Sequence, residues 1–169
     1  MKKYKLGKRE KNDLFRFRVI ALRDFANVKK GDVGGRIQNE KNLSQDGDAW
    51  VSGNAWVYGN ALVSGNAQVY GDAWVYGNAQ VSGNAWVSGN AQVSGNARVY
   101  GNAQVTKFLV NVIMLPFSIT ITDNHVQIGC ELLRKDHLAQ DGLTAAKKYN
   151  LDKKTVAKYR AIIKALMMT

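Results

Sequence analysis

The chain of 169 residues contains one cysteine, one proline and two histidines, and only 13 acidic side chains against 24 Lys and Arg. A single cysteine, Cys130, excludes a disulfide framework and, without a base partner beside it in sequence, reads as a buried, inert thiol. Two histidines are too few for a multi-histidine metal site, so no metal or other cofactor is expected. The basic start MKKYKLGKREKN is not followed by an apolar block, so no secretory signal is expected there. The longest apolar run, Phe108 to Leu115, is interrupted by Asn111 and is far short of the roughly 20 residues of a membrane span. These absences point to a soluble cytoplasmic protein with no membrane association.

The net charge of +11 is unevenly spread. Residues 1–50 hold 13 basic and 7 acidic side chains, residues 51–105 one of each (Arg98 and Asp72), and residues 106–169 ten and five. The neutral middle is also the most regular part. From Ala49 it reads AWVSGN AWVYGN ALVSGN AQVYGD AWVYGN AQVSGN AWVSGN AQVSGN ARVYGN AQV, nine full hexads and a half unit ending at Val105. Ala and Val stand two apart and share one face of an extended segment, while Trp, Gln, Leu or Arg between them points to the other. Gly followed by Asn or Asp then permits a sharp corner. A hairpin meander would leave the Ala/Val face uncovered; stacked coils bury it.

This register resembles the hexapeptide-repeat, left-handed parallel β-helix family, in which three hexads make one triangular coil. The resemblance implies about three coils over 49–105, a Val column with Ala near the corners, and Asn ladders such as those from Asn54 and Asn60 between coils. The fold class expected is an all-β solenoid with a small β-rich N-terminal cap at 1–36, the β-helix at 37–105, a strand-and-hairpin cap at 106–130 and a helical tail at 131–169. The caps are needed because a short stack has two open ends. Phe15 to Val19 alternates apolar and basic residues as a half-buried strand, Gly31-Asp32-Val33-Gly34-Gly35 reads as a turn, and residues 37–48 as an irregular first coil. Lys107 to Leu115 reads as a strand, and Phe117 to Thr122 with His125 to Ile128 as a hairpin. The six basic residues among the first eleven read as a solvated arm, or as a nucleic-acid contact if the tail shares that role.

The order of segments, with GDVGGRIQNEKNLSQDG before the hexads and VQIGC after them, resembles uncharacterised phage and bacterial hexapeptide-repeat proteins. It implies a phage or prophage origin and, as in much of the family, a trimer. Many hexapeptide proteins are acyltransferases that use a histidine base beside a loop breaking the repeat. Here no His and no loop interrupts the hexads; His125 and His137 lie outside them and read as ordinary surface or turn residues. Acyl transfer is therefore the distant alternative, and a non-enzymatic role the expectation.

Residues 18 apart stack in a three-hexad coil, which sorts the outward positions onto three faces. The first carries Trp50, Ser52, Gln68, Tyr70, Trp86, Ser88 and Gln104; the second Trp56, Tyr58, Trp74, Tyr76, Gln92 and Ser94; the third Leu62, Ser64, Gln80, Ser82, Arg98 and Tyr100. The block Trp56, Tyr58, Trp74 and Tyr76 is the candidate contact surface, for a host protein or an anionic nucleotide in a counter-defence or accessory role. The competing expectation, favoured because an aromatic stripe is more often structural, is its burial under the chain's own tail or a neighbouring subunit. In the tail, the spacing of Ala146, Asn150, Leu151, Val156 and Tyr159 resembles a helix-turn-helix. That resemblance implies Asp152 as a cap, Lys153, Lys154, Thr155 and Lys158 toward a DNA major groove, and Arg160 near phosphates.

Overall fold

The computed structural model of the chain describes residues 2–9, 17–106, 110–112, 119–121, 125–128, 131–134, 152–157 and 161. Three strands open it: β1 (Tyr4–Arg9), β2 (Phe17–Ala21) and β3 (Val33–Ile37). A 3-10 turn, Glu40–Asn42, follows. Ten two-residue strands then mark the hexads: β4 (Trp50–Val51), β5 (Trp56–Val57), β6 (Leu62–Val63), β7 (Gln68–Val69), β8 (Trp74–Val75), β9 (Gln80–Val81), β10 (Trp86–Val87), β11 (Gln92–Val93), β12 (Arg98–Val99) and β13 (Gln104–Val105). Strand β4 pairs in parallel with β7, β7 with β10 and β10 with β13; β5 pairs with β8 and β8 with β11; β6 pairs with β9 and β9 with β12. Every pairing joins residues 18 apart, as Trp56 with Trp74. The hexads thus form a three-sided β-solenoid whose faces are the three expected from the sequence. Val33–Ile37, Leu43 and β4 supply one further, irregular coil at the start, giving about four turns.

The local reason is visible in each hexad. The Ala and Val of every unit are buried and form the interior column of the hexads. The outward residue between them makes no demand on the core. At the corners Gly has positive φ, 61° at Gly53, and the Ala55 N–H closes the turn onto Ser52 O at 3.2 Å. A Cβ on Gly53 would sit 3.1 Å from Gly71 O of the next coil, so the corner needs glycine for its φ and for the approach of the next corner. The Asn beside it forms the expected ladders: Asn60 donates to Asn78 and Asn78 to Asn96, and Asn66 to Asn84 and Asn84 to Asn102. The third ladder runs Asn54 to Asp72, where the carboxylate has no N–H to pass on.

Between coils the backbone bonds outside the strand ladders include Trp56 N–H to Ala73 O, Tyr58 N–H to Val75 O and Asn60 N–H to Gly77 O, while within each parallel ladder the bonds run both ways. No coil precedes the first, so carbonyls on its head side need donors from elsewhere. The head supplies them. Lys3 Nζ donates to Ala49 O at 2.9 Å and Gly47 O at 3.2 Å, Tyr4 Oη to Leu43 O at 2.6 Å, and Arg18 Nη1 to Gly53 O at 2.8 Å. Asn42 Nδ2 stands in for missing backbone donors on Gly59 O and Ala61 O. The N-terminal arm is therefore not free in solvent as a whole: Lys3 and Tyr4 are buried, and Tyr4–Arg9 is a strand antiparallel to β2. Its exposed Lys5 and Lys8 lie on the outer strand of a six-stranded sheet, where charge disfavours edge-to-edge association.

Two other expectations in the head are corrected. Gly34 and Gly35 belong to β3 rather than to a turn, and of the Gly31–Gly35 segment only Gly31 has positive φ. Their lack of a side chain lets β3 lie against the first coil, since a Cβ on Gly34 would fall 2.4 Å from Val51 O. Strand β3 also crosses the expected boundary at 36/37: it pairs antiparallel with β2 and in parallel with β5, joining hairpin to solenoid. Trp50, assigned to an outward face, is buried, with the Phe25 ring edge-on to it at 5.4 Å.

Beyond the hexads, β14 (Val110–Val112), β15 (Ile119–Ile121), β16 (His125–Ile128) and β17 (Glu131–Arg134) form an antiparallel four-stranded meander. The expected hairpin is β15 and β16. Residues 131–134, expected to open a helical tail, are instead its fourth strand, with Leu133 opposite Val126 and both buried. The described helix is short, 153–157.

Burial pulls the Lys3 ammonium from 10.5 down to about 8 and pushes the Tyr4 hydroxyl well above its usual 10. Between pH 8 and 10.5 the unfolded chain holds a proton on Lys3 that the folded chain has released, so Lys3 makes stability rise with pH across that window. Tyr4 opposes it only above pH 10, where the unfolded phenol ionises and the folded one does not. The urea-unfolding free energy of the wild type relative to Lys3→Met should therefore climb from pH 8, by up to about 1.4 kcal/mol per unit. Asp72→Asn should let the third ladder continue toward Asn90 and raise the melting temperature by roughly 1–2 °C, on the order of 0.5 kcal/mol.

Candidate functional site

The second face is one sheet, ordered β1-β2-β3-β5-β8-β11. Because Val57 and Val75 point inward, Trp56, Tyr58, Trp74 and Tyr76 point outward from adjacent rungs. Trp56 and Tyr58 stack along one strand with ring centres 4.0 Å apart. Trp56 meets Trp74 edge-to-face at 5.7 Å, and Tyr58 lies parallel to Tyr76 at 5.0 Å and 5°. The structure thus brings together all four aromatic residues singled out in the sequence. Trp74 remains 43% exposed and the other three are half-buried. Stacked rings held on a β-solenoid form a preorganised surface, since little side-chain freedom is left to lose on contact.

Cations border this block on its head side. Arg18 is in register with Arg36 across β2 and β3, and Arg36 with Trp56 across β3 and β5, so an arginine pair continues the tryptophan row. Lys41 Nζ donates to Asn60 Oδ1 at 2.8 Å at the neighbouring corner. Sequence reading missed these neighbours because Arg18 and Arg36 precede the hexads and only strand pairing places them on the same face. The outward position of β11, in line with Trp74, is Gln92. On the first face Tyr70 and Trp86 stand edge-to-face at 6.4 Å, with Trp86 49% exposed.

The tail candidates are only partly within view. Asp152 caps residues 153–157 as expected: its Oδ1 accepts from Thr155 N at 2.9 Å, and Thr155 Oγ1 donates to Oδ2. These bonds hold the Asp152 carboxyl below its usual range. Lys153 and Lys154 are exposed, whereas the Thr155 hydroxyl is engaged by the cap. Lys158, Arg160, His137 and Cys130 lie outside the described residues. His125 opens β16 opposite Arg134. Among the described residues no three His, Cys, Asp or Glu side chains gather as metal ligands would, and no helix is long and apolar enough to cross a membrane.

A comparison with curated proteins found no match. Against protein-family models, the YdcK β-solenoid repeat matches four overlapping stretches, residues 55–71, 67–81, 79–93 and 91–106. They cover the hexads whose 18-residue pairing builds the prism. Matched repeats and coiled geometry agree: residues 55–106 are similar to the YdcK β-solenoid repeat, and the fold is a β-solenoid.

Proposed function

We propose that the chain is a non-enzymatic binding scaffold, a three-sided prism whose second face is the contact surface for a partner. One observation carries this reading: Trp56, Tyr58, Trp74 and Tyr76 stack into a single block on one face, with Trp74 exposed and arginines in register beside it. Aromatic and arginine side chains of this kind dominate protein contact energetics. With the phage or prophage origin that the sequence resemblance implies, the partner would be a host protein or an anionic nucleotide, and the role counter-defence or accessory.

The test is the double substitution Trp56→Ala with Trp74→Ala, read by partner capture and by oligomeric mass from light scattering. Loss of capture by at least tenfold with the mass unchanged is the expected result. A fall in mass to the monomer would make the block a subunit interface of a trimer instead.

A second reading, DNA binding through the tail, draws on the Asp152-capped helix with Lys153 and Lys154 exposed. It requires duplex DNA to be retarded at low salt, with the retardation lost on changing Lys153, Lys154 and Lys158 to Glu. Absence of retardation discards it.

A further inference from the structure

The tyrosine stack stops one coil before the hexads do. Tyr58 and Tyr76 lie parallel at 5.0 Å, and the next residue in that column, 18 positions on, is Ser94. Strand β11 is in register with β8, so Ser94 sits in the third rung with a side chain too small to fill it. The ring face of Tyr76 turned away from Tyr58 therefore looks over Ser94, with Gln92 exposed beside it. Among the described residues no ring follows Tyr76 in this column, and the rung is one coil high, near the ~4.8 Å strand spacing, which admits a single planar ring.

The same corner is rich in donors. Asn96 Oδ1 accepts from Asn78, so the ladder's polarity leaves the Asn96 amide N–H groups directed onward. One coil earlier the N–H groups of Tyr76, Asn78 and Gln80 donate to Val93, Gly95 and Ala97 O, so by register those of Ser94, Asn96 and Arg98 face onward as well. Arg98, the single cation of residues 51–105, is exposed just past this corner, while the single acid, Asp72, lies at a different corner, in the ladder with Asn54. A ring-sized gap beside a stacking face, an amide side chain at its edge and an anion-seeking corner within reach of the same ligand match one chemical class.

We infer that Tyr76, Gln92, Ser94, Asn96 and Arg98 form a site for a nucleoside phosphate, the base completing the tyrosine stack and the phosphate meeting Asn96 and Arg98. The inference rests on the reading of this face as a binding surface and names its ligand. A partner's aromatic side chain could occupy the rung but would leave Arg98 and the donors unused, which is why a phosphate-bearing ring is chosen.

The hexads themselves supply non-disruptive variants, since Tyr and Ser alternate at this position and Gln and Arg at the position of Arg98. Titration calorimetry of the full chain with the four ribonucleoside 5′-monophosphates, and with the corresponding nucleosides, reads the site. Ser94→Tyr fills the rung and should weaken nucleotide binding at least tenfold, with the melting temperature kept or raised. Arg98→Gln should weaken the nucleotides about tenfold, leave the nucleosides unchanged and flatten the salt dependence. No binding of any monophosphate at about 1 mM, or binding indifferent to Ser94→Tyr, overturns the inference. If that happens while Trp56→Ala with Trp74→Ala still loses partner capture, the contact surface stands and only its nucleotide assignment falls. Capture unaffected by both sets of variants removes both.

Discussion

In this solenoid each coil is hydrogen-bonded through its backbone to the coil after it, and nearly everything else follows from that stacking. A closed ring of strands would have no ends, but a stack has two, and each leaves backbone groups with no neighbouring coil. On the head side the carbonyls of Leu43, Gly47, Ala49 and Gly53 accept from side chains instead. Buried carbonyls without donors are costly, roughly 1–3 kcal/mol each, so the head must be built from donors. Lys3, Tyr4, Arg18 and Asn42 are such groups, each donating to a backbone carbonyl. Part of the basic character of residues 1–50 is thus hydrogen-bond chemistry rather than attraction for an outside polyanion. Burying an ammonium for this purpose has its own cost, which appears as the lowered pKa of Lys3.

The same economy frees the outside. Ala and Val fill the interior and Gly-Asn makes the corners, so the residue between Ala and Val and the residue after Val carry no structural obligation. Trp, Gln, Leu and Arg exchange at the first, Ser and Tyr at the second, without disturbing the coil. Aromatic residues placed 18 apart are then compelled into contact by strand pairing, and a stack ends wherever the sequence reverts to a small residue, as it does at Ser94. Binding chemistry on such a scaffold is written by choices at positions that the fold ignores.

How much was legible in the residues depends on how repetitive they are. Nine hexads of identical polarity specify the coil, the buried Ala and Val, the glycine corners, the ladders and the sorting of outward residues into three faces, because each unit has the same local solution and only stacking buries it. The Asp152 cap was legible for the same reason, a local bond within four residues. The flanks have no such redundancy. Nothing local in KKYKLGKR says that Lys3 will be buried under carbonyls more than 40 residues away, or that the strand it leads will extend the second face. Gly34 and Gly35 look like a turn until Val51 is found against them.

The sequence by itself therefore determined the prism and the composition of its faces, since periodicity makes every contact within the hexads a repeat of one another. Only the tertiary structure decided how the ends are satisfied and which neighbours the faces acquire: Trp50 withdrawn beneath Phe25, Arg18 and Arg36 brought into line with Trp56, Lys3 turned inward. Those outcomes depend on pairings between segments of unlike sequence, whose partners are fixed by the donors and acceptors that the open ends of the stack leave over and not by any pattern within the segments themselves.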